Sequence, residues 1–133
     1  MLPDGDPLLG RRIYNQQCLT CHSLEGSPYS NGPLLGNIIG QKAGTMSKYR
    51  YSQAIKESKI VWTRENLFKF LRKPQRFIRG NYMDSQVIKV EDRLNIIAYL
   101  ESQSAWFIGS WITNYIIDII YSILMKFKFT IFL

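Results

Sequence analysis

The stretch QQCLTCHS, residues 16–23, places Cys18, Cys21 and His22 within five positions, and the chain contains no other cysteine or histidine. All thiol and imidazole chemistry is therefore confined to one point. A redox-active disulfide of the thioredoxin kind wants a strand before the motif and a βαβ context, and the sequence offers neither. Zinc wants four ligands, so two thiolates and one imidazole would have to recruit a carboxylate. The spacing C-x-x-C-H also serves as a haem attachment site. Two thiols three positions apart on one helical turn can add to the two vinyl groups of a haem, and the adjacent imidazole then faces the iron from the same side. Of the three, this one best explains why all three residues are clustered.

Local signals organise the rest as an all-α chain. Asp6 followed by Pro7 is a helix start, and PLLGRRIYNQQC sets Leu9, Ile13 and Tyr14, with Gly10, on or near one face before running into the motif. From Ser23 to Tyr51 the glycines at 26, 32, 36, 40 and 44 and the prolines at 28 and 33 predict loops, for which a large apolar cofactor could serve as the core. Thr63 caps a second helix that carries Glu65, Leu67, Phe68, Phe70 and Leu71 and is ended by Pro74. A third helix is expected over residues 91–104, with Leu94, Ile96, Ile97, Tyr99 and Leu100 as its apolar face. No segment has a strand pattern.

The formal net charge of +7 calls for acidic partners, either protein faces or an anionic membrane. Nucleic acid is not expected, because the basic residues lie within helical patterns and no RNA-binding aromatic signature accompanies them. The start, MLPDGDPLLGRR, has no apolar run suited to a secretory signal and is acidic and proline-broken for a transit peptide. With one histidine, a second axial ligand from this chain would be a methionine, a lysine or an oxygen donor. Met83, in the extended segment RGNYMDS after Pro74, is better placed than Met46, which lies in a Ser/Gly/Lys loop.

Over about residues 4–103 the sequence resembles the mitochondrial-type class I cytochromes c. GDPLLGRRIYNQQCLTCHSLEG, NGPLLGNIIGQKAG, YRYSQAIKESKIVWTRENLFKFLRKPQRFIRGNYM and EDRLNIIAYL follow the family's order at nearly its spacing. The resemblance implies the class I cytochrome c fold, three to five helices and long loops wrapped round one covalently attached haem c. Cys18 and Cys21 would form the thioethers, with His22 and Met83 as the iron ligands. Pro33 matches the proline whose carbonyl accepts the histidine's other N–H. Tyr51 and Trp62 match residues that hydrogen-bond a haem propionate, and Gln41, Phe70 and Asn81 fall at haem-contacting positions. Gly10 and Tyr14, with Ile96 and Tyr99, match the crossing of the first and last helices.

Departures from the family pattern are specific. Gln41 stands where an arginine usually lies near the propionates, so one compensating charge is missing and a lower potential is expected. Phe70 and Ile55 replace a tyrosine and an asparagine, which makes a drier interior. After Met83, Asp84 and Ser85 occupy two apolar positions, the second normally aromatic. A carboxylate there either turns to solvent or opposes the bond from sulfur to iron. Gln17, Gln75 and Tyr82 are neutral where lysines usually ring the haem edge, while Arg12, Arg72, Lys73, Arg76 and Arg79 keep positive charge.

Residues 1–104 are thus expected to form the haem domain and residues 105–133 a hydrophobic tail. Residues 106–125 as a helix would span about 30 Å, a bilayer core, with Lys126 and Lys128 after it. Asp118 near its middle opposes insertion by about 3 kcal/mol. The tail reads as a membrane anchor, as translated non-coding sequence, or as an interaction helix. The resemblance implies a monomeric single-electron carrier, not an enzyme. It would run from a cytochrome bc1-type complex to cytochrome c oxidase, in the mitochondrial intermembrane space or a bacterial periplasm. Peroxidase-like activity from a weak Met83 bond, and apoptotic signalling through an adaptor protein, are the alternatives.

Overall fold

The structure, a computed structural model, describes residues 1–26, 31–104, 116–117 and 119–120. Its helices are α1 (Pro7–Gln17), α2 (Gln53–Glu57), α3 (Arg64–Arg72), α4 (Pro74–Phe77) and α5 over residues 90–104. Among the described residues, β structure amounts to one antiparallel bridge between Lys42 and Val61. The all-α expectation holds.

Helix α1 begins where its cap chemistry says it should. The Asp6 carboxylate accepts from the amides of Leu8 and Leu9 at 2.7 and 3.2 Å, and Pro7 fills the first turn, where no amide proton is needed. The Asp6 amide donates to Asn95 Oδ1 at 2.8 Å, which ties this cap to α5. Gly10 is required at the crossing of the two helices. A Cβ there would run into the Asn95 carbonyl and come within 2.9 Å of Tyr99 Cβ. One turn on, the rings of Tyr14 and Tyr99 meet with centroids 5.4 Å apart. Tyr14, Ile96 and Ile97 are among the most deeply buried side chains of the core.

Thr63 caps α3 by accepting from the Asn66 amide at 3.2 Å, and Leu67, Phe70 and Leu71 are its buried face. Pro74 both follows the end of α3 and opens α4, so the expected helix stop is also a helix start. Helices α2 and α4 are too short to show a periodicity, although Ser52 caps α2 with a 3.3 Å bond from the Ile55 amide. Between residues 31 and 51 no helix forms, as the glycines and prolines predicted. This region is fastened at its ends: Leu35 N–H donates to Ser23 O, and Trp62 N–H to Gln41 O, both at 2.9 Å.

Two arginines fix the outer segments. Arg64 pairs with Asp4 at 3.0 Å and Glu101 at 3.4 Å, drawing the N-terminal arm onto α3 and α5. Arg93 is 3% exposed, lies 4.3 Å over the Phe68 ring and donates to the carbonyls of Val87 and Ile88.

Among the described residues no helix is long and apolar enough to cross a membrane. Apart from Ile116, Ile117, Ile119 and Ile120, which are helical and exposed, the tail with its three readings lies outside the described residues.

Candidate functional site

The C-x-x-C-H motif sits in a tight turn directly after α1. Cys18 is the C-cap, its amide donating to Tyr14 O at 2.8 Å, and the amides of Cys21 and His22 both return to Cys18 O at 3.0 and 2.8 Å. One carbonyl thus gathers the three residues. A helix, not a strand, leads into the motif, which removes the context that a thioredoxin-type pair requires. Both cysteines are half-buried free thiols, and burial, with Cys21 beside it, pushes the Cys18 thiol up to about 11.

His22 is held from two directions. Its Nδ1 lies 2.8 Å from the Pro33 carbonyl oxygen, and since a carbonyl only accepts, the ring proton is on Nδ1 and the lone pair on Nε2. The Tyr14 hydroxyl donates to the His22 carbonyl, also at 2.8 Å. Burial pulls the imidazole below the ordinary histidine value, with the bond to Pro33 acting against it, so the neutral ring is favoured. Gly32 lets the loop lie flat against this ring: a Cβ there would collide with it, coming within 2.9 Å of Nε2. A neutral imidazole with one nitrogen saturated and the other open has the donor chemistry that an iron ligand needs.

The other sequence-derived positions fall around the same core. Trp62 is buried, with its ring 4.9 Å from that of Phe70, which in turn faces Phe77 at 6.2 Å. Ile55 is buried, and Tyr51 is half-buried, stacked edge-on against Tyr49. Burial, with Tyr49 next to it, raises the Tyr51 phenol above its usual range, and a backbone hydrogen bond with Met46 opposes the shift. Met83 packs half-buried against the core cluster alongside Cys18, Leu35 and Tyr51, whereas Met46 stands outside that cluster. Gln41 is exposed.

The segment carrying Met83 is organised by side chains. Gly80 turns it with φ +89°, and buried Asn81 donates from Nδ2 to Ile78 O at 2.7 Å. Asn81 Oδ1 accepts from the Met83 amide at 2.7 Å, so both ends of this side chain are used inside the loop. Gln75, on α4, reaches the same loop. Asp84 and Ser85 are exposed, so the carboxylate lies at the surface, with Asp84 Oδ1 3.4 Å from Gln75 Nε2. Arg12, Arg72, Lys73, Arg76 and Arg79 are all exposed. Sequence reasoning singled out neither Gly32 nor the Tyr14 hydroxyl for the site. Gly32 was detectable as a glycine beside Pro33, but the Tyr14 bond ends on a backbone carbonyl and leaves no signal.

Comparison with known proteins gives this geometry a family. The cytochrome c family model matches residues 8–104. The chain belongs to the cytochrome c family. Cytochrome c 2.1 of Caenorhabditis elegans is 38% identical over 105 residues, covering 78% of this chain and 95% of that protein. The cytochrome c of Tetrahymena pyriformis is 40% identical over 102 residues, covering 76% and 92%. Among solved structures, cytochrome cH from Methylobacterium extorquens superposes with a TM-score of 0.69 at 30% identity, covering 74% of this chain and 99% of that one. The chain is a divergent mitochondrial-type class I cytochrome c with that class's helical fold, an electron carrier whose family binds haem c covalently. Cys18 and Cys21 are its attachment cysteines.

Proposed function

We propose that this cytochrome c carries single electrons in a respiratory chain, from a cytochrome bc1-type complex to cytochrome c oxidase, in the mitochondrial intermembrane space. In this reading residues 1–104 are the haem domain and residues 105–133 an appended segment. Bound haem supplies a reversible one-electron iron couple. The protein's residues do the rest. Cys18 and Cys21 tether the porphyrin, and His22 offers its Nε2 lone pair to the iron. Pro33 holds the opposite ring nitrogen, which keeps the tautomer fixed and the imidazole basic. Met83 supplies the distal thioether, a ligand choice that raises the potential. Tyr51 and Trp62 would hydrogen-bond a propionate, with Gln41 as the missing cation near it, and Asn81 would contact the haem. Phe70 and Ile55 keep water from the interior, and a dry surround favours the reduced, less charged state.

The observation that carries this reading is the 2.8 Å contact from His22 Nδ1 to the Pro33 carbonyl, because it leaves Nε2 alone available for a metal. The exposed cations Arg12, Arg72, Lys73, Arg76 and Arg79 support docking to acidic faces of membrane complexes. The test is the visible and near-infrared spectrum of the purified oxidised protein, with and without cyanide. A low-spin spectrum with a thioether-to-iron charge-transfer band, slow cyanide binding and reduction by a bc1-type donor is expected. A high-spin spectrum with rapid cyanide binding overturns Met83 as ligand and moves the family member toward peroxidase chemistry.

A further inference from the structure

Between Asn81 and Val87 the chain runs without backbone pairing. The Asn81 amide donates to Ile78 O at 3.3 Å and the Val87 amide to Leu71 O at 2.7 Å, and among the described residues no amide of 82–86 donates to another backbone group. Met83 sits in this unpaired stretch, so something other than secondary structure must fix it. Two side-chain amides do. Asn81 Oδ1 takes the Met83 N–H at 2.7 Å. Gln75 Nε2 lies 2.6 Å from Asn81 O, 3.3 Å from Met83 O and 3.4 Å from Asp84 Oδ1.

We infer that Gln75 is the positioning residue that holds Met83 toward the iron. Gln75 projects from α4, which Pro74 starts and which packs on α3, so the clamp is anchored outside the loop it grips. A primary amide nitrogen carries two N–H donors. One makes the short bond to Asn81 O, and the other is shared between Met83 O and Asp84 Oδ1. The peptide groups on both sides of Met83 are then restrained, the N–H by Asn81 and the C=O by Gln75. The same donor draws Asp84 toward α4, which keeps a carboxylate off the face that the sulfur must occupy. Gln75 is exposed, so its bonds compete with water and its effect is a bias on loop opening rather than a requirement for folding.

The inference rests on Met83 as the distal ligand, and the experiment separates the two. The haem-loaded full chain, Gln75→Ala and Gln75→Glu are compared by the thioether-to-iron band, by the rate of cyanide binding to the oxidised form and by denaturant unfolding. Gln75→Glu keeps the shape of glutamine but has no donors and faces three oxygen acceptors. If the unsubstituted protein lacks the band, the ligand reading itself fails. If it has the band, we expect cyanide binding about fivefold faster in Gln75→Ala, the factor one such hydrogen bond is worth. Gln75→Glu should be faster still, with the band weakened in both and the unfolding midpoint little changed. Cyanide rates equal to those of the unsubstituted protein in both variants overturn the role of Gln75 while leaving Met83 as ligand. Faster binding in Gln75→Ala but not in Gln75→Glu overturns it as well, since packing and not donation would then be responsible.

Discussion

The phenol of Tyr14 donates to the carbonyl of His22 across 2.8 Å, so the first helix grips the histidine's backbone while Pro33 grips its ring. Tyr14 is also 1% exposed at the crossing with α5, its ring 5.4 Å from that of Tyr99. The helix crossing and the candidate ligand are therefore joined by one side chain.

Replacing Tyr14 with phenylalanine keeps the ring and removes the bond, so a loss of about 1 kcal/mol is expected at pH 7. The pH dependence follows from the phenol's environment. Burial, then Cys18 and Tyr99 beside it, raises Tyr14 well above the ordinary tyrosine range. In the haem-bearing protein Cys18 is a thioether, which leaves burial, the largest cause. Above about pH 10 the unfolded chain releases a proton that the folded one keeps, so the native state loses stability as pH rises. Tyr14→Phe has no such loss. Denaturant unfolding at pH 7 and pH 11 should show the gap between the two proteins narrowing; a gap of constant size contradicts the assignment.

Gly32→Ala tests the loop behind the histidine. The added Cβ meets the imidazole, with Nε2 2.9 Å away and other ring atoms nearer, so either the ring tilts or the loop withdraws with Pro33. Overpacking of this kind costs about 1–3 kcal/mol. Thermal unfolding should report that cost, and acid titration of the visible spectrum should lose its low-spin character at higher pH than the unsubstituted protein does. A spectrum as acid-resistant as the original means that the ring is not confined by this loop.

The parts of the molecule that were legible in the sequence are those whose physics is local. Asp6-Pro7, Thr63 with Glu65, and the apolar face of residues 91–104 carry cap and period signals, and α1, α3 and α5 begin within a residue or so of them. Helices α2 and α4 span five and four residues, less than is needed to repeat a pattern, so Ser52 carried no readable cap signal and Pro74 was legible only as the end of α3. Cys18, Cys21 and His22 were readable because their spacing is itself the chemistry. Gln75 was read only as a missing lysine. Its partners include the carbonyls of Asn81 and Met83, and a backbone acceptor has no residue type to betray it.

Arg93 is the next residue to test, because it closes the far end of the Met83 segment. Its Nη1 donates to Val87 O at 2.7 Å and to Ile88 O at 2.6 Å, while the guanidinium covers the Phe68 ring. Arg93→Leu leaves two carbonyls to find water and removes the cation from the ring, at a cost of about 3 kcal/mol. Arg93→Lys keeps the charge without the planar fork and should recover only part of it. Guanidinium unfolding of both variants measures this, and an Arg93→Lys protein as stable as the original would mean that charge alone suffices.

Gln41 offers a test by sign. Its carbonyl accepts from the Trp62 amide at 2.9 Å and its own amide donates to Ile38 O at 3.0 Å, so the backbone presenting this exposed side chain is fixed beside Trp62. If that face holds the propionates, a cation at position 41 stabilises the reduced form, which carries one positive charge less, and an anion does the reverse. Gln41→Arg should raise the reduction potential and Gln41→Glu lower it, each by on the order of tens of millivolts for a charge near 10 Å in a screened surface site. Both shifts should shrink as salt is raised. Equilibrium redox titration at two ionic strengths reads all four values. Potentials that move in the same direction in both variants would mean that disruption of the loop, and not charge, sets the change, and Gln41 would then lie away from the propionates.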